Sequence, residues 1–321
     1  MEKKKKRSGQ IILLDIVIIA LFVSGIVVYR LFIPEAYVSD ASVAKAASDN
    51  LEEIIETVSE ETDSISDTTT DWGEVFTDKF TDGEVIETDT SYQSENVNVS
   101  MTKVEENGVT YFIQDIYIRS IENLKSAFAD DTYGKAITDS VLDMAVKNEA
   151  VAAINGDYYG VESSGVVIRN GVLYRDDANA DVLVLYKNGT MKAFTADEFN
   201  ADVEMENGAY QAWNFGPVLV QDGTARTNFS SRISAENPRT AIGYVEPGHY
   251  VFVTVDGRQA GYSNGMTLKE LASAMEGLGC QVAYNLDGGQ TSTMTLGNEI
   301  ANQPYKGGRL TSDIIYISDG E

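Results

Sequence analysis

Histidine and cysteine each occur once in the 321 residues, as His249 and Cys280. A single histidine leaves little stock for a Ser-His-Asp or Cys-His relay, and His249 lies in a Pro-Gly turn ahead of a strand-like run. The same scarcity removes the His- and Cys-rich sets that hold zinc, so any metal here would be oxygen-ligated. No cofactor is required by the residues present, and calcium or magnesium is the class of ion left open. One cysteine makes no disulfide framework, and in the apolar approach Gly279-Cys280-Gln281-Val282 it reads as a buried, inert thiol. Basic residues are scarce as well, with 24 Lys and Arg against 50 Asp and Glu and a formal charge of -26. Duplex nucleic acid must be neutralised by clustered cations, and the one cluster, Lys3-Lys4-Lys5-Lys6-Arg7, is N-terminal, which argues against a nucleic-acid partner.

That cluster ends a basic segment, residues 1–10. The run Ile11 to Ile33 behind it is apolar apart from Asp15, Arg30 and a few small residues, and about 20 such residues cross a bilayer. Lys and Arg on the short flank predict a cytoplasmic N-terminus and an exported remainder. With no small-x-small site close behind Ile33, an uncleaved single-pass anchor is preferred to a cleaved signal peptide. Residues 34–95 hold 18 acidic and 2 basic side chains, a composition that predicts a mostly disordered, self-repelling stalk. Two patterns interrupt it: Leu51, Ile54, Ile55 and Val58 at helical spacing, and Trp72 to Phe80, which could fold back on the domain or meet a partner.

Residues 96–321, in a chain that is 43% hydrophobic, can bury one large core. Ser94–Val104 and Tyr111–Ile118 predict a hairpin around Glu106-Asn107-Gly108. Ile137–Asn148 predicts an amphipathic helix. Further strands are expected at Gly165–Ile168, in a hairpin of Val172–Tyr174 with Val182–Tyr186, at Met191–Phe194 after Asn188-Gly189, and at Val218–Gln221. Thr267 with Glu270 forms a capping box for a helix that Gly277 and Gly279 end, and Asp313–Ile317 is a closing strand. Strands outnumber helices without strict alternation, which indicates an α+β fold with a large mixed β-sheet and a few packed helices.

Four apolar runs end in polar, glycine-containing loops. Val282-Ala283-Tyr284 leads into Asn285-Leu286-Asp287-Gly288-Gly289-Gln290-Thr291-Ser292, where no structural role demands the aspartate. Val151–Ile154 leads into Asn155-Gly156-Asp157-Tyr158-Tyr159-Gly160, and Val251–Val255 into Asp256-Gly257-Arg258. Asn237-Pro238-Arg239-Thr240 precedes Ala241-Ile242-Gly243. Glycine lets backbone lie against a ligand, and together the loops read as one site. The acidic loop Asp176–Asp181 lacks the alternating oxygen ligands of a calcium loop and reads as a solvated turn.

In this order the motifs resemble those of the phosphodiester glycosidases: an Asn-Gly-x-Phe/Tyr-Phe/Tyr loop, a Pro-Arg-Thr segment, an Asp-Gly-Arg strand end and a Leu-Asp-Gly-Gly-x-Ser turn. Asn214-Phe215-Gly216-Pro217 and Ser263-x-Gly265-x-Thr267-Leu268 are similar to the family as well, and the resemblance spans residues 97–319. Its animal member removes N-acetylglucosamine from a sugar phosphodiester. The disulfides of that relative are absent here, which, with the anchor, suggests a bacterial envelope protein acting on cell-envelope glycan or exopolysaccharide.

Carboxylates and arginines suit such a substrate. A phosphate monoester is an acidic leaving group, so protonating it matters less than stabilising its charge, which a bidentate arginine does better than lysine. Arg239 and Arg258 are therefore expected on the phosphate, and Asp157 and Asp287 at the anomeric carbon. Asn155 and Asn285 would bind sugar hydroxyls or hold the carboxylates, with Gly156, Thr240, Asp256, Gly288, Gly289 and Ser292 completing the binding set. Two readings compete: a phosphodiesterase in which Asp157, Asp256 and Asp287 hold a divalent ion, and a non-catalytic module that binds wall glycan.

Overall fold

The computed structural model describes residues 71–229 and 233–320. The expected membrane span 11–33, the stalk as far as residue 70 and the helical pattern of 48–58 lie outside the described residues. Among the described residues no helix is long and apolar enough to cross a membrane.

Among the described residues the strands form one nine-stranded and two five-stranded sheets. The large sheet runs, in spatial order, Ile86–Thr88, Ser91–Gln93, Val97–Glu106, Val109–Ile118, His249–Val255, Arg239–Glu246, Val282–Asn285, Val218–Gln221 and Thr224–Ala225. The second sheet orders Met191–Phe194, Val182–Tyr186, Ala209–Trp213, Gly165–Arg169 and Val172–Asp177. The third orders Glu299–Ile300, Met294–Leu296, Ala150–Asn155, Asp313–Ser318 and Leu124–Phe128.

Period-two alternation puts the large sheet's faces into two cores. Along His249–Val255, Tyr250 and Phe252 join Phe112, Ile242 and Tyr284 against Ile154, Ile315 and Trp213 of the smaller sheets. Val251, Val253 and Val255 turn the other way, onto a helix Leu268–Gly277 whose Leu268, Leu271, Ala272 and Met275 are buried. Shorter helices, Val141–Lys147 and Ala201–Glu206, cover the outer faces of the third and second sheets. The fold is sheet-rich α+β, as expected.

Several local expectations hold. The capping box forms, with Thr267 Oγ1 accepting from Glu270 N at 3.2 Å and Glu270 Oε2 from Thr267 N at 2.8 Å. The hairpin around Asn107-Gly108 forms between Val97–Glu106 and Val109–Ile118.

Four expectations change. Every recorded strand pairing is antiparallel, so the sheet is not mixed. Parallel neighbours need crossovers of a dozen or more residues, whereas turns such as Asn170-Gly171 and Asn188-Gly189 reverse the chain at once. Val172–Asp177 pairs with Gly165–Arg169 across Asn170-Gly171 and not with Val182–Tyr186, which lies against Ala209–Trp213. The first helix starts at Val141 rather than Ile137, because Ser140 Oγ caps Asp143 N at 2.9 Å while Asp139 is held in a β-bridge to Thr311.

The fourth change is at the stalk, whose residues 71–95 are packed on the domain instead of disordered; of the two readings of Trp72–Phe80, folding back on the domain is the one that forms. Trp72 and Phe76 are buried, Asp71 pairs with Arg119 at 2.9 Å, and two short strands extend the edge of the large sheet. An acidic composition averaged over 34–95 hides two aromatic side chains that find a socket. Trp72 lies so close to Gly189 and Gly248 that a Cβ on either would stand 2.3 and 2.8 Å from its ring. Trp72→Ala in the full chain should therefore cost about 3–5 kcal/mol in denaturant unfolding; a loss below about 1 kcal/mol would show that the segment is not part of the cooperative unit.

Candidate active site

The site lies where strands of the two facing sheets end together. Antiparallel register sets Asn285 opposite Ala241 in the large sheet and Asn155 opposite Ile314 in the third, so the polar loops that follow or precede these positions meet at one end of the sandwich.

Asn155 ties the two sheets there. Its Nδ2 donates to the carbonyls of Asp287 at 2.9 Å and Gly156 at 3.0 Å, and its Oδ1 accepts from Thr240 Oγ1 at 2.8 Å and Thr293 N at 3.2 Å. Asn155, expected either on sugar hydroxyls or holding the carboxylates, does the second, and with Thr240, expected on substrate, it forms a buried cross-link that holds the Asp287 turn in place. Glycines are required beside them. A Cβ on Gly156 would lie 2.1 Å from Asp313 Oδ1, and one on Gly288 2.9 Å from the Pro238 carbonyl. Gly289 has φ +69° and faces the Arg258 guanidinium.

Asp287 stands between two lobes of one cleft. A lobe of about 710 Å³ is lined by Arg239, Arg258, Asn237, Asn285 and Gly289 among others. A lobe of about 340 Å³ is lined by Asp157, Val161, Leu310 and Ser312. Tyr158, Asp287 and Arg309 line both. Asp287 Oδ1 accepts from Gly288 N at 2.9 Å and Oδ2 from Arg309 at 2.6 Å. Burial pushes its carboxyl above the ordinary aspartate range, against the pull of Thr291 and Arg309.

Asp157 is held from behind. Its Oδ2 accepts from Asn214 N at 3.0 Å and its Oδ1 from Tyr159 N at 3.2 Å, and Arg169 stands 3.0 Å from Oδ1 as its ion-pair partner. Arg169 is sealed in the interior and also pairs with Asp313 at 2.8 Å, while its Nη1 donates to the carbonyls of Ile168 and Ala212. Burial pushes Asp313 up to about 7, with Arg169 opposing and Asp157 adding to the rise.

The arginines divide by accessibility. Arg239 is buried and gives its donors to the carbonyls of Met266, Ile233 and Ala235, so it shapes the cleft wall; burial, with Arg258 nearby, lowers it to about 10. Arg258 is exposed, with φ +59°, and is braced by Asn237 Oδ1 at 2.6 Å and by the Tyr305 ring at 5.7 Å. Arg309 bridges Asp287 and Thr291 with its guanidinium over the Tyr158 ring at 5.2 Å.

Asp256 lies apart from the cleft lining. Its carboxylate accepts from Asn302 at 2.7 Å, Tyr262 at 2.8 Å and Gln303 N at 2.9 Å, fastening two loops, and burial raises it. Asp157, Asp256 and Asp287 are therefore engaged separately, and no three acidic, His or Cys side chains are grouped to hold a metal among the described residues. Asp181 of the acidic loop pairs with Arg226 at 3.1 Å and caps Val218 N. Asn285 donates to the Gly216 carbonyl at 2.8 Å, while its Oδ1 and Ser292 Oγ are buried with no hydrogen-bond partner among the described residues.

His249 begins the strand whose far end reaches Asp256, about 20 Å away at strand rise; it stacks on Tyr117 at 4.1 Å and pairs with Asp115 at 2.6 Å. Cys280 is buried and its thiol pushed up to about 12 by that burial.

Arg169, Arg309 and Asp313 were missed in the sequence. Arg169 ends an apolar strand and Asp313 opens one, the positions of charges that could be swallowed with the strand, and Arg309 follows Gly307-Gly308 in the manner of Arg258 after Gly257.

A family model described as phosphodiester glycosidase matches residues 148–318, just over half of the chain. An uncharacterized SPbeta prophage-derived protein of Bacillus subtilis strain 168, YomE, is 32% identical over 236 residues. That match covers 66% of this chain and 36% of the relative, so the chain spans about a third of that relative's length. Among solved structures, the zebrafish N-acetylglucosamine-1-phosphodiester alpha-N-acetylglucosaminidase catalytic domain, auto-inhibited by its pro-peptide, superposes with a TM-score of 0.57. It is 18% identical, with 75% of this chain and 86% of that one covered, a likeness of fold.

The crowding at Gly156 gives a test of the site's packing. Gly156→Ala should lose about 1–3 kcal/mol in chemical denaturation, whereas Gly277→Ala, at a helix end with nothing within 4 Å of the added methyl, should be neutral or gain up to about 1 kcal/mol. Equal effects at the two positions would contradict the close approach of Asp313.

Proposed function

The chain belongs to the phosphodiester glycosidase family, and from that premise we propose that it hydrolyses the bond between a sugar's anomeric carbon and a phosphodiester. The observation that carries this reading is the position of Asp287 at the junction of the two lobes, with exposed Arg258 in the larger, Asp157 in the smaller and exposed Arg309 beside it lining both.

The phosphate lies in the larger lobe against Arg258 and Arg309, which face solvent and can turn their donors to it. Arg239, expected there from the sequence, acts indirectly by holding the 233–238 wall against which the phosphate rests. The sugar occupies the smaller lobe over Tyr158, and Asn285 Oδ1, in the wall of the larger lobe and lacking a partner among the described residues, accepts from a bridging water or a hydroxyl at the junction of the lobes.

Asp287 then either takes the proton of the water that attacks the anomeric carbon, or attacks that carbon itself to form a glycosyl ester that a water then cleaves, releasing the sugar and restoring the carboxylate. The C–O bond breaks, the pair of electrons leaves with the phosphate oxygen, and the arginines take up the developing charge, so little proton donation is needed. Asp157, gripped by Arg169 and two backbone amides, orients the Tyr158 loop and adds negative potential opposite the oxocarbenium-like centre. A base whose carboxyl is raised by burial works above that raised value: as pH falls through it, the carboxylate is protonated and turnover is lost.

An envelope glycan or exopolysaccharide bearing sugar-1-phosphodiesters is the substrate class in this proposal, reached from outside the cytoplasm by a chain tethered at residues 11–33. Its support is the apolar run and the acidic composition of the sequence.

Hydrolysis of a panel of sugar-1-phosphodiesters in labelled water by the full chain tests the reading. Label is expected in the sugar, Asp287→Asn should lower kcat/KM by about 100-fold or more, and Arg309→Ala should act mainly through KM. Label in the phosphate would overturn the glycosidase reading in favour of P–O cleavage.

A further inference from the structure

One buried guanidinium serves two buried carboxylates behind the cleft, and only one of the two is fully supplied with donors. Both oxygens of Asp157 accept backbone hydrogen bonds, Oδ1 from Tyr159 N and Oδ2 from Asn214 N, and Arg169 Nη2 stands 3.0 Å from Oδ1 as an ion pair. Asp313 Oδ2 accepts from Arg169 Nε at 2.9 Å and has Nη2 2.8 Å away as an ion pair, while Asp313 Oδ1 and Arg169 Nη2 are both buried with no hydrogen-bond partner among the described residues. A Cβ at Gly156 would fall 2.1 Å from that same oxygen, so only glycine fits beside it.

The charges do not balance if all groups ionise. Arg309 answers Asp287, Arg169 answers one of Asp157 and Asp313, and a negative charge is left over in a site with almost no solvent. The other titratable group facing Asp313, the buried Tyr159 phenol, adds no positive charge. An uncompensated carboxylate in such surroundings takes up a proton instead of remaining charged.

We propose that Asp313 carries a proton on Oδ1 at neutral pH and, acting through Arg169, governs the cleft's acceptance of an anionic ligand, so that its deprotonation weakens binding of the phosphodiester. Asp313 is a positioning residue, because Ser312 and Asp157 lie between it and the cleft. When Oδ1 is protonated, Arg169 is free to balance Asp157. When the proton leaves, Arg169 is shared, and an extra negative charge lies beneath the lobe where sugar and phosphate join. At short range in a poorly solvated site that charge repels an anionic substrate. The ligand chemistry rests on the glycosidase reading; the proton on Asp313 does not.

Two arms test this. In the full chain with carbon-13 aspartate, one side-chain carboxyl resonance should titrate near pH 7, as burial beside Asp157 sets it, and should vanish in Asp313→Asn. Linkage gives the same arm a second readout. A carboxyl raised in the folded state holds a proton that the unfolded chain has released, so its contribution to stability is present below about pH 4 and is lost as pH rises to about 7. The melting temperature of wild type should therefore decline relative to Asp313→Asn across that window. Should Asp313→Asn fail to fold, the Gly156 amide, which donates to the Asp313 carbonyl at 3.0 Å, reports the titration in the wild type. Absence of any neutral titration at these nuclei would overturn the proposal.

In the second arm, on a phosphodiester that wild type turns over, KM should rise several-fold above pH 7 with kcat little changed, and Asp313→Asn should keep its low KM to higher pH. Identical pH profiles, with the resonance present, would overturn the positioning role. Lack of turnover on every substrate, with the resonance present, would count against the glycosidase reading and leave the protonated Asp313 established.

Discussion

Arg169 is the constraint around which the rest is arranged. A guanidinium taken wholly out of water is costly unless carboxylates and acceptors surround it, and removing one partner of such a buried pair costs several kcal/mol. Its partners come from separate places: the carbonyls of Ile168 and Ala212 in the second sheet, Asp313 at the head of a third-sheet strand, and Asp157 in the loop after Asn155. Satisfying this side chain therefore joins two sheets and fixes the loop that carries Tyr158 into the cleft. The rings of Tyr159 and Trp213, 5.9 and 5.7 Å from the guanidinium, close off water on its faces.

A second, uncharged tie works alongside it. Asn155 spans from the third sheet to Thr240 of the large sheet and to the Asp287 carbonyl, so both carboxylates of the cleft are positioned by groups that never need to meet a ligand. The chain thus separates two uses of arginine. Arg169 and Arg239 are buried and spend their donors on the protein, whereas Arg258 and Arg309 are exposed on aromatic rings and keep positive charge facing solvent. On a protein of formal charge -26, this is where an anionic group finds local positive potential.

Much of the fold was legible because the signals were local. Alternation marked the strands, Asn-Gly turns marked the hairpins, and Thr267 with Glu270 marked a helix start that forms as written. Misreadings came where partners are distant in sequence. Val172–Asp177 and Val182–Tyr186 look like neighbours, yet a third strand, Ala209–Trp213, and a fourth, Gly165–Arg169, stand between them. Trp72 and Phe76 sit in acidic surroundings that predict disorder, and the socket that orders them is built from residues such as Gly189 and Gly248, far along the chain.

The sequence by itself determined which loops carry chemistry: carboxylates, glycines and arginines at the ends of apolar strands, in an order that one family shares. It also ruled out histidine relays and thiolate sites by their scarcity. Tertiary structure alone decided which of those residues face the cleft. Asp256 and Asp287 both follow strands and look alike in sequence, yet Asp256 fastens loops while Asp287 joins the two lobes. Arg239 and Arg258 both line the larger lobe, but Arg239 is buried with Nε and Nη2 on backbone carbonyls while Arg258 is exposed, and Arg169, Arg309 and Asp313 emerged only once the sheets were assembled. The physical reason is that a charge's role depends on its desolvation and on the partner it meets, and both are set by segments more than a hundred residues apart, as Arg169 and Asp313 are.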